Sequence, residues 1–180
     1  PGLPAVRTGK AEIVSVEATP AQQAIMADFI LRAEAIRTGR VKPEEDNMLK
    51  LTGEARLMAI DPRLIRPDAD GTESKLSVCI EDVYQVWKDT AASASTQLVF
   101  CDVGTPKAGK FNVYDEIRNV LLAKGVPESE IAFVHDATSE AQRQELFERT
   151  RQGKVRILIG STGKLGTGVN VQNQVMSIDH

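Results

Sequence analysis

Apolar residues recur at helical spacing through the first half of the chain. Thr19–Pro20 has the residue types that start a helix, and large apolar side chains follow every three or four residues until Gly39. A second stretch of this kind covers Asn47–Ile60 and is closed by Asp61–Pro62. A third stretch begins after Ser74 and places five residues on one face: Leu76, Cys79, Ile80, Val83 and Trp87. The pattern predicts three helices, and in the last of them we expect Trp87 to serve packing.

Two shorter patterns accompany these helices. Residues Glu12–Val16 alternate polar and apolar side chains, which predicts a short strand. The stretch Arg66–Thr72, with the sequence RPDADGT, is rich in turn-forming residues and predicts a linker. We therefore divide the chain into an N-terminal helical segment, residues 1–73, and a second segment, residues 74–180.

Strands and helices alternate in the second segment. Amphipathic stretches at Asn112–Lys124 and Ser139–Gln152 lie between short apolar runs. Four of these runs have the length of buried strands: Gln97–Asp102, Ile131–His135, Val155–Gly160 and Val175–Asp179. Alternation of this kind is typical of a parallel sheet covered by helices. We therefore expect an α/β fold with a parallel sheet flanked by helices.

The composition is that of an ordinary globular domain. The chain has 180 residues, of which 42% are hydrophobic and 26% are charged, so it can build a substantial core. No apolar run approaches the ~20 residues of a membrane span, and the opening PGLPAVRTGK lacks the apolar segment of a secretory leader. We expect a cytoplasmic, monomeric chain with no membrane partner, and the missing initiator Met indicates a fragment.

Cysteine and histidine are too few to suggest a metal site. The chain has two of each, and their spacing is not that of a ligand cluster. Cys79 and Cys101 lie within apolar patterns, which predicts buried thiols in a reducing compartment. We assign no metal ligand to the chain.

The net charge of −3 argues against nucleic-acid binding by the surface as a whole. A local excess of positive charge occurs over residues 143–156, where five cations stand against Glu145 and Glu148. These cations are Arg143, Arg149, Arg151, Lys154 and Arg156. They could form a basic strip, or they could be the solvated end of a helix, where cations also suit the helix dipole.

One stretch is similar in sequence to a nucleotide-binding loop. Gly104–Lys110 reads GTPKAGK between a predicted strand and a predicted helix, and it fits the phosphate-loop pattern as far as Lys110. The next residue is Phe111, where that pattern needs a hydroxyl to hold magnesium. We therefore do not expect this loop to bind nucleotide by itself.

The stretch Val155–Gln172 passes from a buried strand directly into polar residues and glycines. Ser161 and Thr162 follow the strand, and the sequence then continues through Gly163, Lys164, Gly166, Thr167, Gly168 and Asn170. Sheets of this class build binding sites at the carboxyl ends of their strands, and a glycine-rich backbone can hold phosphate. Alone, the pattern predicts a tight turn equally well.

A second polar stretch, His135–Arg143 with the sequence HDATSEAQR, follows another predicted strand. Arg143 comes eight residues after His135. Taken by itself, Arg143 is typical of a surface salt bridge, and His135 is typical of a hydrogen-bonding residue at a strand end. No nucleophile and acid can be combined with His135 into a catalytic set, so we assign no catalytic residue.

Taken together, QLVFCD, IAFVHDATSEAQR and STGKLGTGVN resemble the second RecA-like lobe of Swi/Snf-type superfamily-two helicases and translocases. Ser161, Thr162, Gly168 and Asn170 stand where the family has its motif V. The segment EEDNMLKLTGEARLMAIDPRLI resembles one branch of this family, which is found in phages and mobile elements. Proteins of that branch join such a motor to an adenine-specific DNA methyltransferase. The resemblance implies a RecA-like, P-loop NTPase-like lobe with an N-terminal helical elaboration.

The resemblance also implies the functional residues. Ser161, Thr162 and Lys164 would contact the phosphates of duplex DNA. Gly104, Thr105 and Arg143 are weaker candidates for such contacts. Gly166, Gly168 and Asn170 would lie at the edge of the nucleotide.

By the same resemblance, ATP and magnesium would be held mainly by a first RecA-like lobe, which would precede Pro1. The arginines of motif VI would follow His180. We therefore expect the isolated chain to have no ATPase activity. Two alternatives stay open: a non-enzymatic α/β interaction module, and a P-loop nucleotide enzyme that uses Lys110.

Overall fold

The computed structural model describes residues 13–104, 106, 109–165 and the backbone of 175–179. The chain forms two compact units. The sheet unit contains residues 13–17, Gln85–Phe100 and the described residues from Pro127 onward. The helical unit contains Ala18–Tyr84 and the described residues of Cys101–Val126.

A parallel sheet of four strands forms the centre of the sheet unit. The strands are β1 (Thr96–Phe100), β2 (Ile131–Phe133), β3 (Ile157–Gly160) and β4 (Val175–Asp179). Their order across the sheet is β2–β3–β1–β4, and every pair is parallel. The prediction of an α/β chain with a parallel sheet is therefore confirmed.

Apolar side chains from β1, β3 and a covering helix form a core cluster in this unit. All four residues of β3 are buried. Helix α5 (Glu140–Arg151) packs Leu146 and Phe147 into the same cluster, and its start is capped by Ser139 and Gln142 in a reciprocal capping box. The buried members of the cluster are Leu98, Val134, Leu146, Val155, Leu158 and Leu165.

The helical unit contains α1 (Pro20–Arg37), α2 (Met48–Ile60), α3 (Lys75–Asp89) as far as Tyr84, and α4 (Val113–Ala123). The predicted starts at Thr19–Pro20 and Asn47 are confirmed, since the Thr19 and Asn47 side chains cap their helices. Helices α1 and α2 pack through a buried cluster of Ile25, Phe29, Leu51 and Met58.

A charged group ties together distant parts of the helical unit. The carboxylate of Asp61 is fully buried and accepts hydrogen bonds from the Arg63 guanidinium at 2.8 and 2.9 Å and from the Ser74 hydroxyl at 2.9 Å. Arg63 also donates to Glu116 at 2.7 Å, and its guanidinium lies 4.2 Å from the ring centroid of Phe111. The residue that ends α2 therefore also holds α3 and α4.

Two predictions at the sequence level are corrected by the structure. The strand predicted over Glu12–Val16 is wrong for its described residues, because Ile13 and Val14 are exposed and have no partner strand to bury them. Cys79 and Cys101 are not joined in a disulfide, and both are only half-buried where the sequence predicted buried thiols.

Within the part of the chain that the structure describes, every helix is too short or too polar to cross a lipid bilayer.

Candidate functional site

The carboxyl ends of β2 and β3 lie side by side. Phe133 pairs with Ile159 in the register, so His135 and Ser161 are both two residues beyond that pair. Neighbouring strands are about 4.8 Å apart. A 3-10 turn, Val134–Asp136, follows β2 and contacts the short helix that follows β3. The two polar stretches found in the sequence therefore meet at one edge of the sheet.

The first residues of the predicted glycine-rich loop, as far as Leu165, form a single helical turn, and the rest of that predicted loop lies outside the described residues. Helix α6 covers Thr162–Leu165, and the Ser161 carbonyl accepts hydrogen bonds from the N–H groups of Lys164 and Leu165, each at 2.9 Å. Ser161 is half-buried, Thr162 and Lys164 are exposed, and Leu165 is buried. The side chains at 162 and 164 thus face solvent at the carboxyl edge.

Glycine at position 160 allows this turn to pack closely on the strand. A Cβ atom added there would lie 3.0 Å from Cγ of Leu165 and 3.2 Å from Cβ of Val134. These separations are shorter than an ordinary van der Waals contact of 3.5–4.0 Å between carbon atoms. A larger residue at 160 would push the turn away from the strand.

His135 is held by its neighbours at the same edge. Its ring stacks on Phe133, with centroids 5.2 Å apart and planes inclined by 12°. Its Nε2 atom lies 3.4 Å from a carboxylate oxygen of Asp136, which is exposed. The 3-10 turn that carries this imidazole contacts α6, and Asp136 on the same 3-10 turn is its acidic neighbour.

The predicted basic strip is divided between the two edges of the sheet. Helix α5 begins after β2 and returns to the start of β3, so Arg143 in its first turns lies toward the carboxyl edge and Lys154 toward the amino edge. Arg143 is exposed, and among the described residues its side chain has neither an ion pair nor a hydrogen bond. Arg151 pairs with Glu148 at 2.8 Å and lowers the pKa of that carboxyl group.

Arg156 is not part of any basic surface, which corrects the predicted strip. Its residue is 5% exposed. The guanidinium donates to the carbonyl oxygens of Trp87 and Ser95 and to the hydroxyl of Thr90, and it lies 3.6 Å from Glu130. Arg156 is buried because it immediately precedes a strand that is itself buried.

The first residue of the loop whose sequence is similar to a phosphate loop, Gly104, is held by contacts within the chain. In the helical unit the Gly104 carbonyl accepts from the N–H of Val113 at 3.1 Å, and Asn112 caps α4 through the N–H of Asp115. Gly104 has a φ of +62°, and an added Cβ would lie 2.5 Å from Cγ2 of Val113. These contacts account for the glycine at position 104 by packing and backbone conformation.

Tyr114, the residue after Val113 in α4, adds a further hydrogen bond in the helical unit. Tyr114 donates from its hydroxyl to the Cys101 carbonyl at 2.6 Å. Burial, with a smaller effect from Cys101, raises the pKa of Tyr114 to about 12. The phenol is therefore a neutral hydrogen-bond donor at physiological pH.

The remaining predicted contacts lie outside the described residues: Thr105, Gly166, Gly168 and Asn170. Of the candidates that are described, Ser161, Thr162 and Lys164 share one turn of the sheet unit, and Arg143 lies on α5 of the same unit. Gly104 belongs to the helical unit. In the described ranges, no group of three or more His, Cys, Asp or Glu residues is placed to hold a metal ion.

Sequence reasoning missed the buried group around Arg156. Trp87, which was expected only to pack, also donates from its indole nitrogen to Glu130 at 2.7 Å, and Arg156 lies 5.2 Å from its ring. The signal in the sequence was an arginine inside the apolar run VRILIG, where a charged side chain is buried only if it is paired.

Comparisons of the chain with models of protein families, with curated proteins and with solved structures find no match in any of the three.

Proposed function

We propose that this chain is one RecA-like lobe of an ATP-dependent motor that moves along duplex DNA, and that it contributes phosphate contacts at the carboxyl edge of its sheet. The observation that carries the proposal is the turn after β3. It presents the exposed side chains of Thr162 and Lys164 directly beyond a buried strand of a parallel sheet. Polar groups at this edge are where sheets of this class bind their ligands.

The chemistry of this turn suits a phosphate backbone. The hydroxyls of Ser161 and Thr162 can donate hydrogen bonds to phosphate oxygens, and the ammonium of Lys164 can neutralise one phosphate. None of these groups reads bases, which fits a motor that must hold DNA of any sequence. Arg143 is exposed on α5 of the same unit and could extend the contact along the strand.

We also propose which residues of this lobe approach ATP. Gly166, Gly168 and Asn170 follow the turn in the sequence, and we propose that they approach ATP from this lobe. A first lobe would supply most of the contacts to ATP and magnesium, and a methyltransferase domain of the same polypeptide is a further proposed partner. We also propose that Gly104 and Thr105 contact the DNA backbone.

Two lysines at opposite ends of β3 test the proposal. Lys164 follows the strand and Lys154 precedes it, and both are exposed. Replacing either by Gln changes the net charge equally, but only Lys164→Gln should weaken binding of a fluorescently labelled duplex, by about fivefold. It should also reduce the slope of log affinity against log salt by about 0.9, the value for one phosphate contact.

Equal affinities of the two variants would contradict the proposal, because binding would then follow net charge and not the turn. That outcome would favour the alternative, a non-enzymatic interaction module that keeps the fold. The alternative also expects Thr162→Ala and Asn170→Ala to leave the DNA-stimulated ATPase of the full-length protein unchanged. The motor proposal expects a large loss in both variants.

A further inference from the structure

The turn that carries Ser161, Thr162 and Lys164 is attached to the sheet unit by the side chain of Leu165. Leu165 is 3% exposed and belongs to the apolar cluster of this unit. The two residues before it are exposed, and the turn has only four helical residues. A helix of this length is unstable in isolation, so its conformation depends on the packing of Leu165.

The contacts of Leu165 extend to both polar turns at the carboxyl edge. The Leu165 side chain lies directly against Gly160, since a Cβ atom added to that glycine would be 3.0 Å from Cγ of Leu165. Val134, the first residue of the turn after β2, borders the same position and belongs to the same cluster. Leu165 therefore joins the end of β3 to the turn that carries His135.

We infer that Leu165 is a positioning residue for phosphate binding: its burial holds the hydroxyls of Ser161 and Thr162 and the ammonium of Lys164 in the arrangement that contacts DNA. This inference rests on the proposed function. Groups that are ordered before binding lose less conformational entropy on binding, and this raises affinity without any new contact. The Leu165 side chain itself touches no DNA.

A matched pair of leucines separates positioning from stability. Leu165→Ala and Leu146→Ala remove the same atoms from the same cluster, but Leu146 lies on α5 and not on the turn. We expect both variants to lower the melting temperature. We expect Leu165→Ala to weaken binding of the labelled duplex about tenfold and Leu146→Ala less than about twofold, because only the first releases the turn.

Two further variants keep the test decisive if Leu165→Ala does not fold. Leu165→Met keeps a long apolar side chain and should restore affinity to within about twofold of the wild type. Gly160→Ala removes no atom from the cluster but adds a Cβ atom 3.0 Å from Cγ of Leu165, so it should displace the turn and weaken binding severalfold.

Amide hydrogen exchange measures how firmly Leu165 holds the turn, without any ligand. The N–H groups of Lys164 and Leu165 are bonded to the Ser161 carbonyl. Their exchange should become at least about tenfold faster in Leu165→Ala and should be unaffected in Leu146→Ala. Equal exchange in the two variants overturns the inference.

Thr162→Ala distinguishes the two levels of the proposal. If Thr162→Ala weakens DNA binding while Leu165→Ala binds as tightly as Leu146→Ala, the positioning role is overturned and the proposed function stands. If neither Thr162→Ala nor Leu165→Ala changes binding, both are overturned.

Discussion

Replacing Arg156 by Met should lower the free energy of unfolding of the sheet unit by about 3 kcal/mol. The guanidinium is buried and bonded to the carbonyl oxygens of Trp87 and Ser95, and Glu130 lies 3.6 Å away. Methionine fills much of the same volume but donates no hydrogen bond, so these oxygens lose their partner. Removing one member of a buried charged pair costs more than the pair itself contributes, because the other charge is left unpaired.

The effect of Arg156→Met can be measured by urea unfolding. Trp87 is the one tryptophan of the chain and belongs to the sheet unit, so its fluorescence follows this unit, with far-ultraviolet circular dichroism as a second probe. Arg151→Met is the matched control. Its pair with Glu148 is exposed, with 40% and 54% of the two side chains accessible, and should contribute less than about 1 kcal/mol. A loss below 1 kcal/mol for Arg156→Met would show that this group does not stabilise the sheet unit.

Replacing Asp61 by Asn should destabilise the helical unit by about 3 kcal/mol. The carboxylate is fully buried and accepts four hydrogen bonds: from the backbone N–H and two guanidinium nitrogens of Arg63, and from the hydroxyl of Ser74. The amide group of Asn would turn donor hydrogens toward the cavity in place of one carboxylate oxygen, and the Arg63 guanidinium that lies there can only donate. The positive charge of Arg63 would keep a single carboxylate partner, Glu116.

The matched control for Asp61→Asn is Asp28→Asn in the same unit. Asp28 lies 3.5 Å from Arg66, and 46% of each side chain is exposed, so this pair should contribute less than about 1 kcal/mol. Thermal unfolding followed by circular dichroism compares the two variants. Equal melting temperatures would mean that the Asp61 group does not hold α2, α3 and α4 together.

The helix starts and the positions of the strands along the chain could be predicted from the sequence because their signals are local. Thr19, Asn47, Asn112 and Ser139 each precede an apolar-periodic stretch, and each caps the helix that follows. The predicted strand at Val175–Asp179 matches β4. The strand predicted over Ile131–His135 ends two residues early, because Val134–Asp136 forms a 3-10 turn.

The partners of the buried charges could not be predicted, because they are distant in the sequence. Arg156 bonds to Trp87 and Thr90, which precede it by 69 and 66 residues, and Arg63 bonds to Glu116 across 53 residues. In a linear pattern Arg156 is one more cation of a basic strip, and Asp61 only ends a helix. The apolar run around Arg156 indicates that its side chain is buried, but the groups that pair with it lie in no local window of the sequence.

The turn after β3 shows the same limit at a smaller scale. Glycine disfavours helix, so Gly163 indicated a loop. The burial of Leu165 and the hydrogen bonds to the Ser161 carbonyl outweigh that preference over one turn. The residue types of the candidate site were visible in the sequence, but the side chain that holds them in place was not.

A single titration tests the central claim, that the carboxyl edge of the sheet contacts DNA phosphate. The chain, labelled with 15N and assigned by NMR, is titrated with a duplex of mixed sequence at low salt. We expect the largest changes in amide chemical shift at Ser161–Leu165 and at His135, and little change at Lys154 beyond the opposite end of β3. Changes centred on Lys154 and Arg149, or no change at Ser161–Leu165 when the duplex binds, would contradict the account.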